Sequence, residues 1–309
     1  MGVLSRPLSD SNPRLACLAG LLASLAFAVS EALGYHRSSF TFTALAAFLL
    51  GLPLAAYFAG IAFFPEATGR LLTLRSRFNP DEASHVAAGA LVAFALTVTS
   101  ARPLITLAYR LEGGVPAIPA SGAEVLAGAA VLALLTLGAT VLWMTTVERA
   151  ATVSDLVRRL RVPGAAPGKA AAIGAGVGIA SVILATALVL LWNLAASAFG
   201  EPPAEETVAQ GLALALGLGG IVLAAAIAAV HEEVFFRGFL LPRIGLGLQA
   251  GLFAVGHAAY GTAPQVVVPL LLGLGWGWLF LRTRSLLAPV VAHFLFNVVG
   301  FLSAGGWLG

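Results

Sequence analysis

Apolar stretches, each near the length of a membrane span, alternate along this chain with short polar connectors. They cover residues 15–34, 41–64, 86–108, 122–147, 171–198, 208–235, 245–260, 265–281 and 286–304. A helix needs about 20 mainly apolar residues to cross the hydrocarbon core of a bilayer. A lipid-facing backbone must also satisfy its own hydrogen bonds, which an α-helix does. The pattern therefore predicts an all-α polytopic bundle of eight to nine spans. The seventh and eighth runs are short, and the seventh is the weakest of the set. No repeat of 20 to 50 residues, low-complexity tail or long linker divides the chain.

Composition agrees with the pattern: 59% of residues are hydrophobic, 10% are charged and the mean hydropathy is +0.95. Soluble domains carry about a quarter charged residues, so a soluble enzyme is excluded, and no basic tract suggests a nucleic-acid partner. The net charge of +3 matters less than where the cations lie. Arg6 and Arg14 precede the first run; Arg70, Arg75 and Arg77 follow the second; Arg149, Arg158, Arg159, Arg161 and Lys169 follow the fourth. Arg243 follows the sixth, and Arg282 and Arg284 the eighth. Every second connector is basic, whereas Glu201, Glu205 and Glu206 mark an acidic one. Lys/Arg-rich loops stay in the cytoplasm, so nine spans place the N-terminus inside and the C-terminus outside. The first run, with Leu25-Ala-Phe-Ala28 inside it, also fits a cleaved signal peptide, which would leave the remaining topology unchanged. The single Cys17 excludes an intramolecular disulfide and a multi-cysteine metal site.

Residues 1–200 hold few charges within their apolar runs, Glu31 and Arg102-Pro103 being exceptions, and are expected to support a chemical core at 208–305. The sizeable connectors are 66–84 and 148–169. In the second, Ser154 reads as an N-cap, Leu156, Val157 and Leu160 as an apolar stripe and Pro163-Gly164 as a stop. The result is a short basic helix expected on the anionic inner leaflet. Gly174-Ala-Gly-Val-Gly178 and Gly273-Leu-Gly-Trp-Gly277 contain GxxxG, a spacing that lets membrane helices approach closely. Tight packing within the chain is expected, with a dimer face as the other use.

Chemistry concentrates in the last third. His231-Glu232-Glu233-Val-Phe-Phe-Arg237 lies inside an apolar run, and ionisable groups at that depth are costly and by default functional. Glu233 and Arg237 are i, i+4 neighbours in the favoured acid-first order, and Glu232 points about 100° away without a local cation. Phe253 and His257 share a face of the seventh run, as do His293 and Asn297 on the ninth. If the sixth helix ends where Pro242 breaks it, Glu232 stands roughly 14 Å from its inner end. His257 and His293 stand roughly 16 and 12 Å from the same side by the 1.5 Å rise. The three then converge at one level. His231 is off the Glu232 face and reads as a bystander that can tune it. His36 and His85, at loop edges, are expected to be solvated. Phenylalanine stands where HExxH needs its second histidine, no GxSxG elbow occurs, and no aspartate pair can be placed within the spans.

Glu232-Glu233-x-x-x-Arg237, Phe253-x-x-x-His257 and His293-x-x-x-Asn297, in that order on successive helices, resemble the CPBP intramembrane protease family. That family includes CAAX prenyl endopeptidases and bacteriocin-processing or immunity proteins. The resemblance covers about 230–300, and no position of its pattern is missing. It implies that Glu232 activates water with help from His257, that His293 and Asn297 stabilise the oxyanion, and that Arg237 holds Glu233. A metal-dependent variant is also open, with His257, His293 and Glu232 as ligands of a divalent ion such as zinc.

The leading expectation is thus an intramembrane endopeptidase acting on a membrane-associated peptide or protein near the cytoplasmic face. A catalytically silent peptide-binding or immunity protein of the same fold is one alternative. A proton-coupled transporter is another, disfavoured by the lack of an inverted repeat. The Ala/Gly/Arg-rich, lysine-poor composition suggests a GC-rich bacterium and its cytoplasmic membrane, with lipids as partners; the oligomeric state stays open.

Overall fold

The computed structural model describes residues 13–64, 67, 78–114, 121–164, 166–198, 207–260 and 263–308. It is all-helical, with no strand among those residues. The helices are α1 (Pro13–Arg37), α2 (Thr41–Phe63), α3 (Ala83–Leu111), α4 (Gly122–Thr146), α5 (Val153–Arg159), α6 (Pro167–Ala198), α7 (Thr207–Glu232), α8 (Leu246–Val255), α9 (Pro264–Thr283) and α10 (Leu287–Ala304). Eight are long and apolar enough to cross a membrane, and α8, the weak seventh run, is not. The chain is a multi-pass membrane protein.

The seventh run folds as two short elements. From the end of α7, α8 climbs beside the middle of α3, where the Ser100 hydroxyl donates to the Leu252 carbonyl at 3.4 Å. A 3-10 turn, Ala258–Tyr260, then packs on the Arg102–Leu111 part of α3. From there α9 returns.

The basic connectors gather at one end of the bundle. Arg243, after α7, donates to Glu148, after α4, through Nε at 3.0 Å. Arg159 Nη1 lies 3.7 Å from the same carboxylate, and Trp143 Nε1 donates to it at 3.2 Å. The Leu286 N–H, before α10, donates to the Arg161 carbonyl at 3.0 Å, and Ser285 bonds the Pro163 carbonyl. Arg70, Arg75, Arg77 and the acidic 201–206 stretch lie outside the described residues.

Three expectations are corrected here. His85 is not solvated but 1% exposed. Its Nδ1 accepts from the Asn79 N–H at 2.9 Å, and its Nε2 lies 3.2 Å from the Thr146 carbonyl and 3.1 Å from Glu82. A histidine at a helix start is drawn inside because adjacent loops fold back over the helix end and supply its partners. The N-cap of α5 is Thr152, whose hydroxyl accepts from the Asp155 N–H at 3.1 Å, two residues ahead of Ser154. Pro242 does not end the sixth helix. After Glu232 the chain enters a π-helix, Glu233–Leu240, and Leu241–Ile244 returns to α geometry before Gly245, at φ 84°, stops it. Proline lacks an N–H and clashes with the carbonyl four residues back, but π geometry has already moved that carbonyl out of register. The same device precedes Pro103, where Thr97–Ala101 is π-helical.

Both small-residue motifs pack within the chain. A Cβ on Gly174 would stand 2.3 Å from the Ala288 carbonyl oxygen, and one on Gly178 would stand 2.9 Å from that of Ala292. A Cβ on Gly273 would meet the Ala250 backbone at 3.0 Å. Backbone-on-backbone approach thus locks α6 to α10 and α8 to α9, as expected where no hydrophobic effect drives association in lipid. Gly178→Leu should push α10 away and cost about 1–3 kcal/mol, the range for overpacking. Gly176→Leu, at a position with no atom within 4 Å, should leave the melting temperature in detergent unchanged.

At the opposite end Glu112, just after α3, caps α2. It accepts from the N–H groups of Phe42 and Thr43 at 2.8 and 2.7 Å and from the Thr43 hydroxyl at 2.5 Å. An acid there satisfies orphan donors and meets the positive end of the helix dipole. Desolvation pulls its pKa upward, but the bonds from Thr43 and Phe42 outweigh it and hold the carboxyl below the ordinary value. A depressed folded value means stability that is present at neutral pH and lost as the pH falls through that value. Melting curves should show this acid-side loss in wild type, and Glu112→Gln should flatten it.

Candidate active site

The acidic cluster occupies the junction where α7 widens into the π-helix. Glu232 is the last α residue and Glu233 the first of the π stretch. A π turn makes i→i+5 bonds, as when the Leu241 N–H donates to the Phe236 carbonyl. Such turns occur mostly inside α-helices at functional sites. Glu233 and Arg237 are both 0% exposed, with Nη1 to Oε1 at 2.8 Å. Within one helix the sequence therefore buries an ion pair whose charges cancel, which two unpaired ions could not sustain.

From α10, His293 donates Nδ1–H to the same Glu233 oxygen at 2.8 Å. A carboxylate can only accept, so this bond fixes the proton on Nδ1 whenever the ring is neutral. Nε2 then faces Glu232, 4.0 Å from its Oε2. On the turn after α8, His257 is fixed likewise, Nδ1–H donating to the Phe253 carbonyl at 2.8 Å. Glu232 is the less confined acid. Its side chain keeps 19% exposure. Asn297 sits half-buried one turn beyond His293. Glu233 thus joins Arg237 and His293, His293 faces Glu232, and the rings of His257 and His293 both pack on Phe253. His231 turns away to α4, its Nδ1 3.2 Å from the Thr136 hydroxyl.

Aromatic rings enclose the cluster. The Arg237 guanidinium lies 4.2 Å above the Phe253 ring and 5.5 Å from that of Trp276. Trp276 also packs against the His293 imidazole with centroids 4.7 Å apart and planes tilted by 31°, and its Nε1 donates to Ser181 on α6 at 3.1 Å. Trp276, which sequence reasoning did not single out, is therefore part of the site's wall. The available signal was a large aromatic residue between glycines, in Gly273-Leu-Gly-Trp-Gly277. Arg237 faces two rings because the face of a π-system attracts a cation most strongly where water is excluded.

A catalytic zinc centre needs three protein ligands about 2.0–2.3 Å from one point. Among the described residues no three His, Cys, Asp or Glu groups are so arranged. Both site histidines bond an oxygen acceptor through Nδ1, a bond that metal-ligating histidines also make with the nitrogen that does not bind the metal.

Residues 213–299 match the family model described as Rce1-like, type II CAAX prenyl endopeptidase. The match supports a CPBP-family intramembrane protease. The matched CPBP segment runs from α7 into α10 and contains both glutamates, Arg237, both site histidines and Asn297. No curated protein and no solved structure matches the chain. A match to a CAAX-type endopeptidase model supports an intramembrane endopeptidase.

Removing one partner of a buried pair leaves a bare charge and costs about 3–5 kcal/mol. Arg237→Leu should therefore destabilise the fold by that order. Arg237→Lys, which keeps the charge but loses the guanidinium above the Phe253 ring, should cost less. Melting both variants in the same detergent checks the order.

Proposed function

We propose that the protein is an intramembrane endopeptidase that hydrolyses a peptide bond of a membrane-associated peptide or protein, with Glu232 as the base. The observation that carries this reading is the unequal fixing of the two acids. Glu233 is committed to Arg237 and His293, whereas Glu232 Oε2 is buried without a hydrogen-bond partner, 4.0 Å from His293 Nε2. A separation of that size between two polar atoms suits one bridging water.

Each residue then has a task. Glu232 takes a proton from water as its oxygen attacks the scissile carbonyl carbon. The carbonyl oxygen becomes an oxyanion, held by Nε2–H of protonated His293 and the Asn297 amide, donors that cost no reorganisation in a dry site. Glu232 passes its proton to the amide nitrogen, the C–N bond breaks, and an acid and an amine leave. Glu233 orients His293 as a carboxylate orients the histidine of a catalytic triad. His257 presents Nε2 at the level of Glu232 and supports its charge. By the positive-inside rule the basic end is cytoplasmic, which gives an N-terminus inside a cytoplasmic membrane and a substrate entering near that face. The last four helices form the catalytic part and the preceding spans its support.

Cleavage of a mixed library of membrane peptides by purified protein tests the reading. Glu232→Gln and His293→Ala should each lower kcat by about 10²–10⁴, the usual worth of a positioned acid or base. A strong chelator should leave wild-type cleavage unchanged; loss with a chelator would move the mechanism to a metal. Identical cleavage by wild type and both folded variants would overturn the proposal in favour of peptide binding without hydrolysis.

A further inference from the structure

Gln249, on α8, is 0% exposed, and both its Nε2 and Oε1 lack a protein partner. A buried amide that gave up water without replacing its bonds would be a standing cost, and such a group in a native fold calls for a reason. Its surroundings give one. Gln249, Phe253 and His257 follow at i, i+4 and i+8 along one line, so Gln249 lies one turn toward the basic end from the ring beneath the Arg237 guanidinium. Its Oε1 lies 3.1 Å from where a Cβ of Gly277 would stand, so the absence of a side chain there makes room for the amide. The neighbouring Trp276 is the second ring facing Arg237.

Gln249 is not isolated. Among the described residues, the other buried side-chain atoms without partners in this part of the fold are Arg237 Nε and Nη2, Glu233 Oε2 and Glu232 Oε2. With Gln249 they make three donors and three acceptors, with Phe253 standing between the amide one turn away on α8 and the guanidinium over its ring. One continuous ligand able both to donate and to accept satisfies such a series, and water has that chemistry.

We propose that Gln249 anchors a buried water site between α8, α9 and the π-helix, and that this site feeds the glutamate pair with water from the basic end of the bundle. Gln249 is a positioning residue, acting through the water it holds. The inference rests on the hydrolytic reading only for the use of that water; the water site itself does not depend on it.

The experiment separates the two. Radiolytic hydroxyl labelling with mass spectrometry marks buried side chains that adjoin bound water. Phe253 and Trp276, 2% and 1% exposed, should be labelled in wild type, and labelling should fall several-fold in Gln249→Met, which keeps the length but loses the amide. Gln249→Glu, which keeps a polar head, should restore it, and carries the test if the methionine variant does not fold. In the peptidase assay Gln249→Met should lower kcat by about tenfold, the worth of one water-mediated bond, with KM unchanged. Labelling equal in wild type and Gln249→Met, or absent from wild type, overturns the water site. Lost labelling with unchanged kcat overturns the supply role. Lost labelling in a chain that cleaves nothing upholds the water site while the hydrolytic reading fails.

Discussion

A guanidinium and a carboxylate with no exposure to solvent, joined at 2.8 Å within a single helix, set the conditions that the rest of the core meets. Neither ion can be buried alone, and together they still leave polar atoms to satisfy. The neighbouring helices supply a histidine from α10, and from α8 and α9 two rings whose faces attract the cation. These contacts require helices closer than ordinary side chains permit. Glycines meet that need: α6 presents Gly174 and Gly178 to the carbonyls of α10, and α9 presents Gly273 and Gly277 to α8. The small residues of this chain serve its charges.

The basic end gives the cluster a second support. One carboxylate, Glu148, gathers Arg243 from beyond the π-helix, Arg159 from α5 and the indole of Trp143. Leu160 lies where a side chain on Gly238 would have to go, so the strap after α5 rests against the π-helix itself. The backbone bond from Leu286 to Arg161 holds the start of α10 against the same strap. Two elements that carry site residues are thereby tied to one surface connector.

Much of this was legible in the sequence, and the exceptions have physical causes. Apolar run length gave the helices, because crossing a bilayer imposes a length. Spacing gave the Glu233 and Arg237 pair, because residues four apart stay within reach of each other even where the helix widens to π geometry. Position did not give the environment of His85, which depends on loops folding back from elsewhere in the chain. Nor did it show the continuation past Pro242, since a π turn has no residue signature of its own. The partner of His293 was also hidden: spacing places a side chain on a face but does not say which of two adjacent carboxylates it meets. Trp276 was passed over because an aromatic residue in an apolar run is indistinguishable from ordinary core until its neighbours are known.

The two π stretches are each followed by a proline, at Pro103 and Pro242. A π turn accommodates one residue more than an α turn in the same stretch of helix, while the flanking turns keep their faces. A span built in this way can gain a residue without rotating everything beyond it. For a membrane helix, where a rotated face would present polar groups to lipid, that is a route by which a single-residue insertion can be accepted and then turned to chemical use. Glu233, first residue of its π stretch and wholly enclosed, stands where an insertion of that kind would leave its mark.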